Sequence, residues 1–414
     1  MKPRKIAFYG LFGQQNWGNE CTLQAIIYNA RRYLPDAELR CFCTGPHETL
    51  LRHNIPAFPI SNRFAHGYPT TSGTPARRKH PLARFLRALF IRIPMELLDW
   101  MRAFKSLRGF DMLVVPGTGL LTDFASNPLG GPYYLLKWSL IAKLCRCKLL
   151  FVSVGAGPMY HPLTKRFIKW ALSLAHYRSY RDIYSKEFVQ SIGFKANNDA
   201  LYPDLAFSLP RGLFSHYDNR NSEHPVIGVG VKDYYGVLGL PERGGDVKYG
   251  DFINKLATVV ARLHQNKYTV RLLIGDTLYD NSVKQDLMAL LLARHGIANE
   301  DPQIINEPIS SGEDVLSQLA ATDIVVSARF HNVLLALMLN KPVVALSYHE
   351  KFAALVAGVG LPEYCHDIDC LDIERLTAQI VDLETKADDL TPRIRQQVEQ
   401  YRNALEEQYA RIFG

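Results

Sequence analysis

Short apolar runs rich in β-branched residues alternate along the chain with longer stretches whose apolar positions recur at helical spacing. The first run, 5–9, is followed by a helix expected over 19–33 and a second strand at 38–43. Strands are expected again at 111–115 and 149–154, closing in Pro116-Gly117-Thr118-Gly119 and Gly155-Ala156-Gly157-Pro158. Another short strand leads to Tyr180-Arg181-Asp182 and a helix with Ser185 as its expected cap. After Pro203-Asp204 the alternation pauses, through Pro210, Gly212 and the polar run 218–224. It resumes at 226–231 and continues through 269–274, 304–306, 324–327 and 343–347, with an apolar helix at 333–339. A charged helix over 388–413 ends the chain.

Strands that are apolar on both faces belong to parallel sheets covered on both sides by helices. The pattern therefore predicts an α/β protein with two doubly wound halves. The length, 414 residues, exceeds what one core usually supports, about 250–300 residues. The expected division is 1–215, 216–387 and a terminal helix, 388–414, packing back on the first domain. No internal repeat is visible.

A hydrophobic share of 47% excludes disorder. No apolar run approaches the roughly 18 residues of a spanning helix. At the N-terminus, Ile6-Ala7-Phe8-Tyr9 is cut short by Gly10, too early for a signal peptide. The expectation is a soluble, non-exported protein. Seven cysteines without a C-x-x-C spacing give neither a zinc site nor a disulfide framework, and no metal or cofactor is expected. The pairs Cys41/Cys43 and Cys145/Cys147 read as buried thiols in a reducing compartment.

Charge adds one feature. Of the net +8, nearly all sits in 77–108. There Arg77, Arg78, Lys79, Arg84, Arg87, Arg92, Arg102, Lys105 and Arg108 face only Glu96 and Asp99, interleaved with Phe, Leu and Trp. Such a stretch suits an anionic membrane surface or an anionic substrate, and a solvated helix covering a sheet is the other reading. Pro94 would break a single helix through it. Nucleic acid is not an expected partner, because the rest of the sequence offers no basic continuation.

Ligands of wound α/β domains bind beyond the carboxyl ends of strands. Gly10-Leu11-Phe12-Gly13 and Asn16-Trp17-Gly18-Asn19-Glu20 follow the first strand. The run Gly117-Thr118-Gly119-Leu120-Leu121-Thr122-Asp123 follows a later one, as does Arg181. The first glycine turn is neither a dinucleotide nor a P-loop fingerprint and is compatible with ligand approach or with a plain turn; the second closes with a carboxylate, Asp123. The richest position is Ser327-Ala328-Arg329-Phe330-His331-Asn332, and the next strand delivers Ser347-Tyr348-His349-Glu350-Lys351. An Arg and a His at a strand–helix turn favour an anion and supply an acid/base group.

Taken in order, these motifs resemble the polysaccharide pyruvyl transferase family. Its N-x-G-D-E pattern is present from Asn16 to Glu20, with Asn19 where the family has Asp. Its G-G-G-L-x-x-D pattern runs from Gly117 to Asp123, with Thr118 as the middle residue. Arg181, Asp182 and Ser185 match its R-D-x-x-S pattern, in which Val189 replaces Leu and Gly193 closes. Ser327, Arg329, His331, Lys341-Pro342, Tyr348 and Lys351 match its S-x-R-x-H, K-P and Y-x-x-K elements.

The resemblance implies two Rossmann-like doubly wound domains facing across a cleft, similar to GT-B glycosyltransferases. In that arrangement 1–215 is the acceptor side and 216–387 the donor side. It implies transfer of pyruvate from phosphoenolpyruvate to two hydroxyls of a sugar, as a cyclic ketal, with release of phosphate. The acceptor would be a sugar or lipid-linked oligosaccharide in an envelope or exopolysaccharide precursor. The chain would then be cytoplasmic, with 77–108 as a peripheral contact to anionic membrane at its inner face. Arg181 and Arg329 are the expected donor clamps, because guanidinium pairs with phosphate or carboxylate. His331 is the expected acid, with a further role as base toward the sugar hydroxyl. Asn16, Glu20, Gly117, Thr118, Gly119, Asp123, Ser327, Phe330, Tyr348 and Lys351 are the expected substrate-binding positions. Two rival readings are a GT-B glycosyltransferase with a nucleotide-sugar donor and a non-catalytic protein of envelope polysaccharide assembly.

Overall fold

Every strand expected from an apolar run is present within a residue of its bounds in a computed structural model, which describes residues 3–62, 92–123, 127–214, 225–235 and 245–414. The chain runs β1 (Lys5–Gly10), α1 (Trp17–Tyr33), β2 (Glu38–Cys43), α2 (Pro46–His53), β3 (Ala57–Pro59) and α3 (Ile93–Leu107). It continues through β4 (Met112–Pro116), α4 (Gly131–Leu144), β5 (Lys148–Val154), α5 (Pro162–Ser173), β6 (Tyr177–Tyr180), α6 (Ile183–Ser191) and β7 (Ala200–Leu201). A 3-10 turn follows at Leu205–Ser208. The second series is β8 (Val226–Gly230), α7 (Gly245–Gln265), β9 (Thr269–Leu273), α8 (Asp280–His295), β10 (Ile304–Ile305) and α9 (Gly312–Ala320). Then come β11 (Ile324–Ser327), α10 (Phe330–Met338), β12 (Val343–Ser347), α11 (Lys351–Gly358), β13 (Cys365–Asp367) and α12 (Ile373–Phe413).

The first seven strands form one sheet, ordered β3-β2-β1-β4-β5-β6-β7; the last six form another, ordered β10-β9-β8-β11-β12-β13. Pairing is parallel from β3 to β6 and throughout the second sheet. Each sheet winds outward from its first strand, then resumes on that strand's other side, which creates a switch point between β1 and β4 and between β8 and β11. The central strands β4, β5, β11 and β12 are buried along nearly their whole length, as parallel strands covered on both faces must be. None of the seven cysteines is in a disulfide.

By Cα proximity the chain forms two compact units, 1–14 with 34–180 and 189–200, and 15–33 with 181–188 and 201–414. The boundary placed at 215 from the sequence falls inside the second. Helix α12 begins at Ile373, earlier than expected, because Asp372 caps it by accepting the Arg375 N–H at 3.0 Å. It carries Pro392 in its interior. Its far end meets α1 and the Leu205–Ser208 turn: Tyr33 donates its hydroxyl to Glu406, and the Tyr409 and Ser208 hydroxyls share a 2.8 Å hydrogen bond.

In the first unit, Gly13 has φ +75°, and a Cβ there would lie 2.0 Å from the Gly45 carbonyl oxygen. That glycine serves a close approach of two backbones rather than of a ligand. Pro94 stands in the first turn of α3, where its missing N–H is no loss. The basic residues Arg77, Arg78, Lys79, Arg84 and Arg87 lie outside the described residues.

Candidate functional site

In the second unit the carboxyl ends of β8, β9, β11 and β12 bring charged side chains together. Arg329 occupies the turn from β11 into α10. Its Nε donates to both oxygens of Asp280, at 3.1 and 2.8 Å, and its Nη2 to Asp233 at 3.0 Å and again to Asp280. Asp280, fully buried at the start of α8, also accepts the N–H groups of Gly275 and Asp276, both at 3.0 Å. Burial disfavours the guanidinium charge, but Asp280, Asp233 and Asp276 outweigh it and raise the Arg329 pKa. Its Nη1 has no hydrogen bond to the described residues. Asp276 is the odd carboxylate of the group. Burial pushes it up to about 6 against the pull of Arg329, with Asp280 and Asp233 adding to the rise.

The start of α1 closes one side of this cluster. Asn16 accepts the Asn19 N–H at 3.3 Å, which makes it the helix cap, and donates its amide to Asp276 at 3.3 Å. The Trp17 N–H reaches the Gly275 carbonyl at 3.1 Å. Gly18 lies under the His331 ring, so a Cβ there would stand 1.9 Å from Nδ1. The Asn and Gly of the N-x-G motif are thus a cap and a seat for His331. Glu20 is buried within α1.

His331 is the only residue of α10 that is not buried, yet its Nε2 is enclosed and has no hydrogen-bond partner among the described residues. Burial pushes its pKa down to about 4; Asp204 opposes the shift, and Arg181 and Lys351 reinforce it. Its neighbour Phe330 lies between two cations, with the Arg181 guanidinium 4.8 Å and the Lys351 ammonium 5.3 Å from the ring centroid. Arg181 also donates to Asp182 at 3.3 Å and Asp204 at 3.1 Å.

Lys351 has no carboxylate partner among the described residues. Burial, Arg181 and Lys232 lower its pKa, and Tyr348 opposes them. Burial would raise the Tyr348 hydroxyl, but Lys351, Lys232 and Arg329 bring it down to about 8. His349 is also pushed down to about 4, by burial and then by Lys351 and Arg181, against Asp182. Ser327 shapes the turn: its Oγ accepts the Arg329 N–H at 3.0 Å and fills the space over Gly230, where a Cβ would come within 2.0 Å. A cavity of about 450 Å³ adjoins the cluster, lined by Arg181, Asp204, Phe330 and Lys351 with Phe207, Leu355 and Tyr401.

The structure therefore places Arg181, Ser327, Arg329, Phe330, His331, Tyr348, Lys351, Asn16 and Glu20 in one unit. Gly117, Thr118, Gly119 and Asp123 belong to the other. There Gly117 and Thr118 are buried and Gly119 is exposed. Asp123 accepts the N–H groups of Tyr160 at 3.0 Å and His161 at 2.9 Å, fixing the loop after β5. The α6 cap is Asp182, which accepts the Ser185 N–H at 2.6 Å, and not Ser185 as expected. The sequence reading missed Lys232, Asp233, Asp276 and Asp280. Three of them directly follow β8 and β9, so the strand-end rule that selected Arg329 and Tyr348 would have found them. Asp204 carried no such signal.

The sequence profile of the polysaccharide pyruvyl transferase family matches residues 16–350. The amylovoran biosynthesis protein AmsJ of Erwinia amylovora is 19% identical over 306 residues, 72% of this chain and 71% of that protein. Among solved structures, the Anabaena protein Alr3699/HepE in complex with UDP and glucose is similar at TM-score 0.58 and 15% identity, covering 98% of this chain and 99% of that one. A putative UDP-N-acetylglucosamine 2-epimerase from Listeria monocytogenes gives TM-score 0.58 at 11% identity, over 94% of this chain and 90% of that one. These likenesses bear out the expected α/β, GT-B-like fold class.

Proposed function

The chain belongs to the polysaccharide pyruvyl transferase family, and from that premise we propose that it transfers pyruvate from phosphoenolpyruvate to two hydroxyls of a sugar as a cyclic ketal. One observation carries the reading of the site: Lys351 is a half-buried ammonium with no carboxylate partner among the described residues, and Arg181 and Lys232 add to its positive surroundings. An anion beside it would offset both the desolvation and the neighbouring positive charge. Phosphoenolpyruvate brings a phosphate and a carboxylate. Lys351, Arg181 and the remaining Nη1 edge of Arg329 offer them charge-assisted hydrogen bonds.

The chemistry follows from a neutral His331. A sugar hydroxyl adds across the enol double bond, its oxygen bonding to the central carbon. Its proton passes to the imidazole and from there to the methylene carbon, which becomes the methyl group. The bond from carbon to phosphate oxygen then breaks, phosphate leaving with the electron pair, and the second hydroxyl takes its place to close the ketal. That hydroxyl's proton leaves with the phosphate. A positioned acid/base contributes about 10²–10⁴-fold to such a step. Lys351 and Arg181 stabilise the phosphate as its charge grows.

The test is calorimetric titration of phosphoenolpyruvate into the wild type and Lys351→Met. Methionine keeps the packing on Phe330 and Tyr348 and removes the charge together with the hydrogen bond to Tyr348. Arg329→Ala would be a poor probe, since it strands the buried Asp280. Loss of one charge-assisted contact is expected to weaken binding by roughly 10–100-fold. Equal affinity in the two proteins, or no binding by wild type alongside binding of a nucleotide-sugar, would overturn the proposal.

A further inference from the structure

Helix α3 turns both of its acidic residues inward. The fully buried Lys137 of α4 meets Glu96 at 2.8 Å and Asp99 at 2.9 Å. Asp99 also accepts the Asn62 N–H at 3.1 Å, and the Trp100 indole donates to the Tyr133 hydroxyl at 3.0 Å. With Ala103 and Leu107, both buried, these contacts fix the inner face of the helix.

At about 100° per residue, Leu97, Met101 and Leu98 fall on the opposite arc, where they are 59%, 52% and 46% exposed. Ile93 and Met95 are exposed as well. Arg102, Lys105 and Arg108 are exposed on or beside the same arc, which holds no acidic residue. A solvated surface helix shows the reverse, with its apolar stripe inward and mixed charge outward. An exposed cluster of this kind marks an interaction surface.

We propose that this face of α3 docks the protein peripherally on an anionic lipid bilayer. Leu97, Leu98 and Met101 enter the acyl boundary while Arg102, Lys105 and Arg108 lie at the level of the phosphates. Charge complementarity selects this occupant. The only two acids of the helix are consumed by Lys137, so the outward face presents cations alone. Pairing this face with that of a second copy would set cation against cation. Among the described residues no helix is long and apolar enough to cross a membrane, so this docking is that of an amphipathic helix lying in the interface.

The experiment is flotation of the full chain with vesicles of phosphatidylcholine alone and of phosphatidylcholine with phosphatidylglycerol. Binding is expected only to the anionic vesicles, and is expected to be lost at about 0.5 M salt, where charges are screened within a few Å. Arg102→Gln with Lys105→Gln should lower the partition coefficient by roughly fivefold per cation. Leu97→Gln with Met101→Gln should lower it by at least about tenfold. All four side chains are exposed, so unchanged thermal midpoints are expected for both variants. Failure of wild type to float, equal binding to neutral vesicles, or undiminished binding by both variants would overturn the proposal. So would a wild-type dimer in light scattering that the Leu97→Gln/Met101→Gln variant dissolves, since that assigns the face to a second copy.

Discussion

His331 rests on the bare Cα of Gly18, with Arg181 and Lys351 close enough to suppress its charge. Burial first, then those two cations, push its pKa down to about 4 against Asp204. The imidazole is therefore neutral at pH 7 and able to accept a proton from a hydroxyl. A bound anion reverses the balance, because it offsets the cations and favours the imidazolium. Just above pH 4 the free site is mostly neutral while the complex holds more of the imidazolium; near pH 7 the neutral form that the ketal chemistry uses still prevails. Binding of phosphoenolpyruvate must then take up protons, and the His331 contribution to affinity grows as pH falls toward 5. The donor's own phosphate protonates near pH 6 and works in the opposite direction, so the informative quantity is a difference. At pH 6 the binding enthalpy of wild type should vary with the ionisation enthalpy of the buffer, and that of His331→Gln should vary less. Identical buffer dependence in the two proteins would remove His331 from the proton balance.

Three elements meet in the carboxylate pair around Arg329: the end of β8, the first turn of α8 and the start of α10. Asp280 has no exposed surface, whereas the Asp233 side chain is 24% exposed. Breaking a buried pair leaves a charge uncompensated and typically costs about 3–5 kcal/mol, while a partly solvated partner is worth at most about 1 kcal/mol. Urea unfolding should accordingly show Asp280→Asn strongly destabilised and Asp233→Asn close to wild type; comparable losses would mean that the two carboxylates share the guanidinium evenly. Legibility also divides at this scale. Arg329, Tyr348 and Lys351 were readable because each stands where an apolar strand gives way to a helix, and backbone geometry alone sends such positions to the ligand-binding edge. Asp280 lies several residues past its strand in an ordinary helical turn, and only tertiary packing makes it a partner. Likewise, Asp182 and Ser185 are both good caps by composition. The choice between them rests on where α6 begins, which Asp182 settles by accepting the Ser185 N–H.

The two sheets share one winding order although the sequence shows no repeat between them. Parallel order is dictated by connectivity and covering helices, and many apolar sequences satisfy it. What the chain order hides is that the second unit is assembled from separated segments. A cut at 215 keeps every strand of the second sheet but removes α1 and the Leu205–Ser208 turn. Tyr409, fully buried, would lose its hydroxyl partner Ser208. Arg402 would lose the Leu209 carbonyl it reaches at 2.9 Å, and Tyr401 the Phe207 ring with centroids 4.9 Å apart. A fully buried large side chain is worth about 1.5–3 kcal/mol, and a whole domain is stable by only about 5–15 kcal/mol. Uncovering the aromatic end of α12 therefore takes a large share of the total. Residues 216–414 expressed alone should retain helical circular dichroism yet unfold without a cooperative transition in urea. A sharp transition from that fragment would mean that α1 and the 205–208 turn lean on the second unit without supporting it.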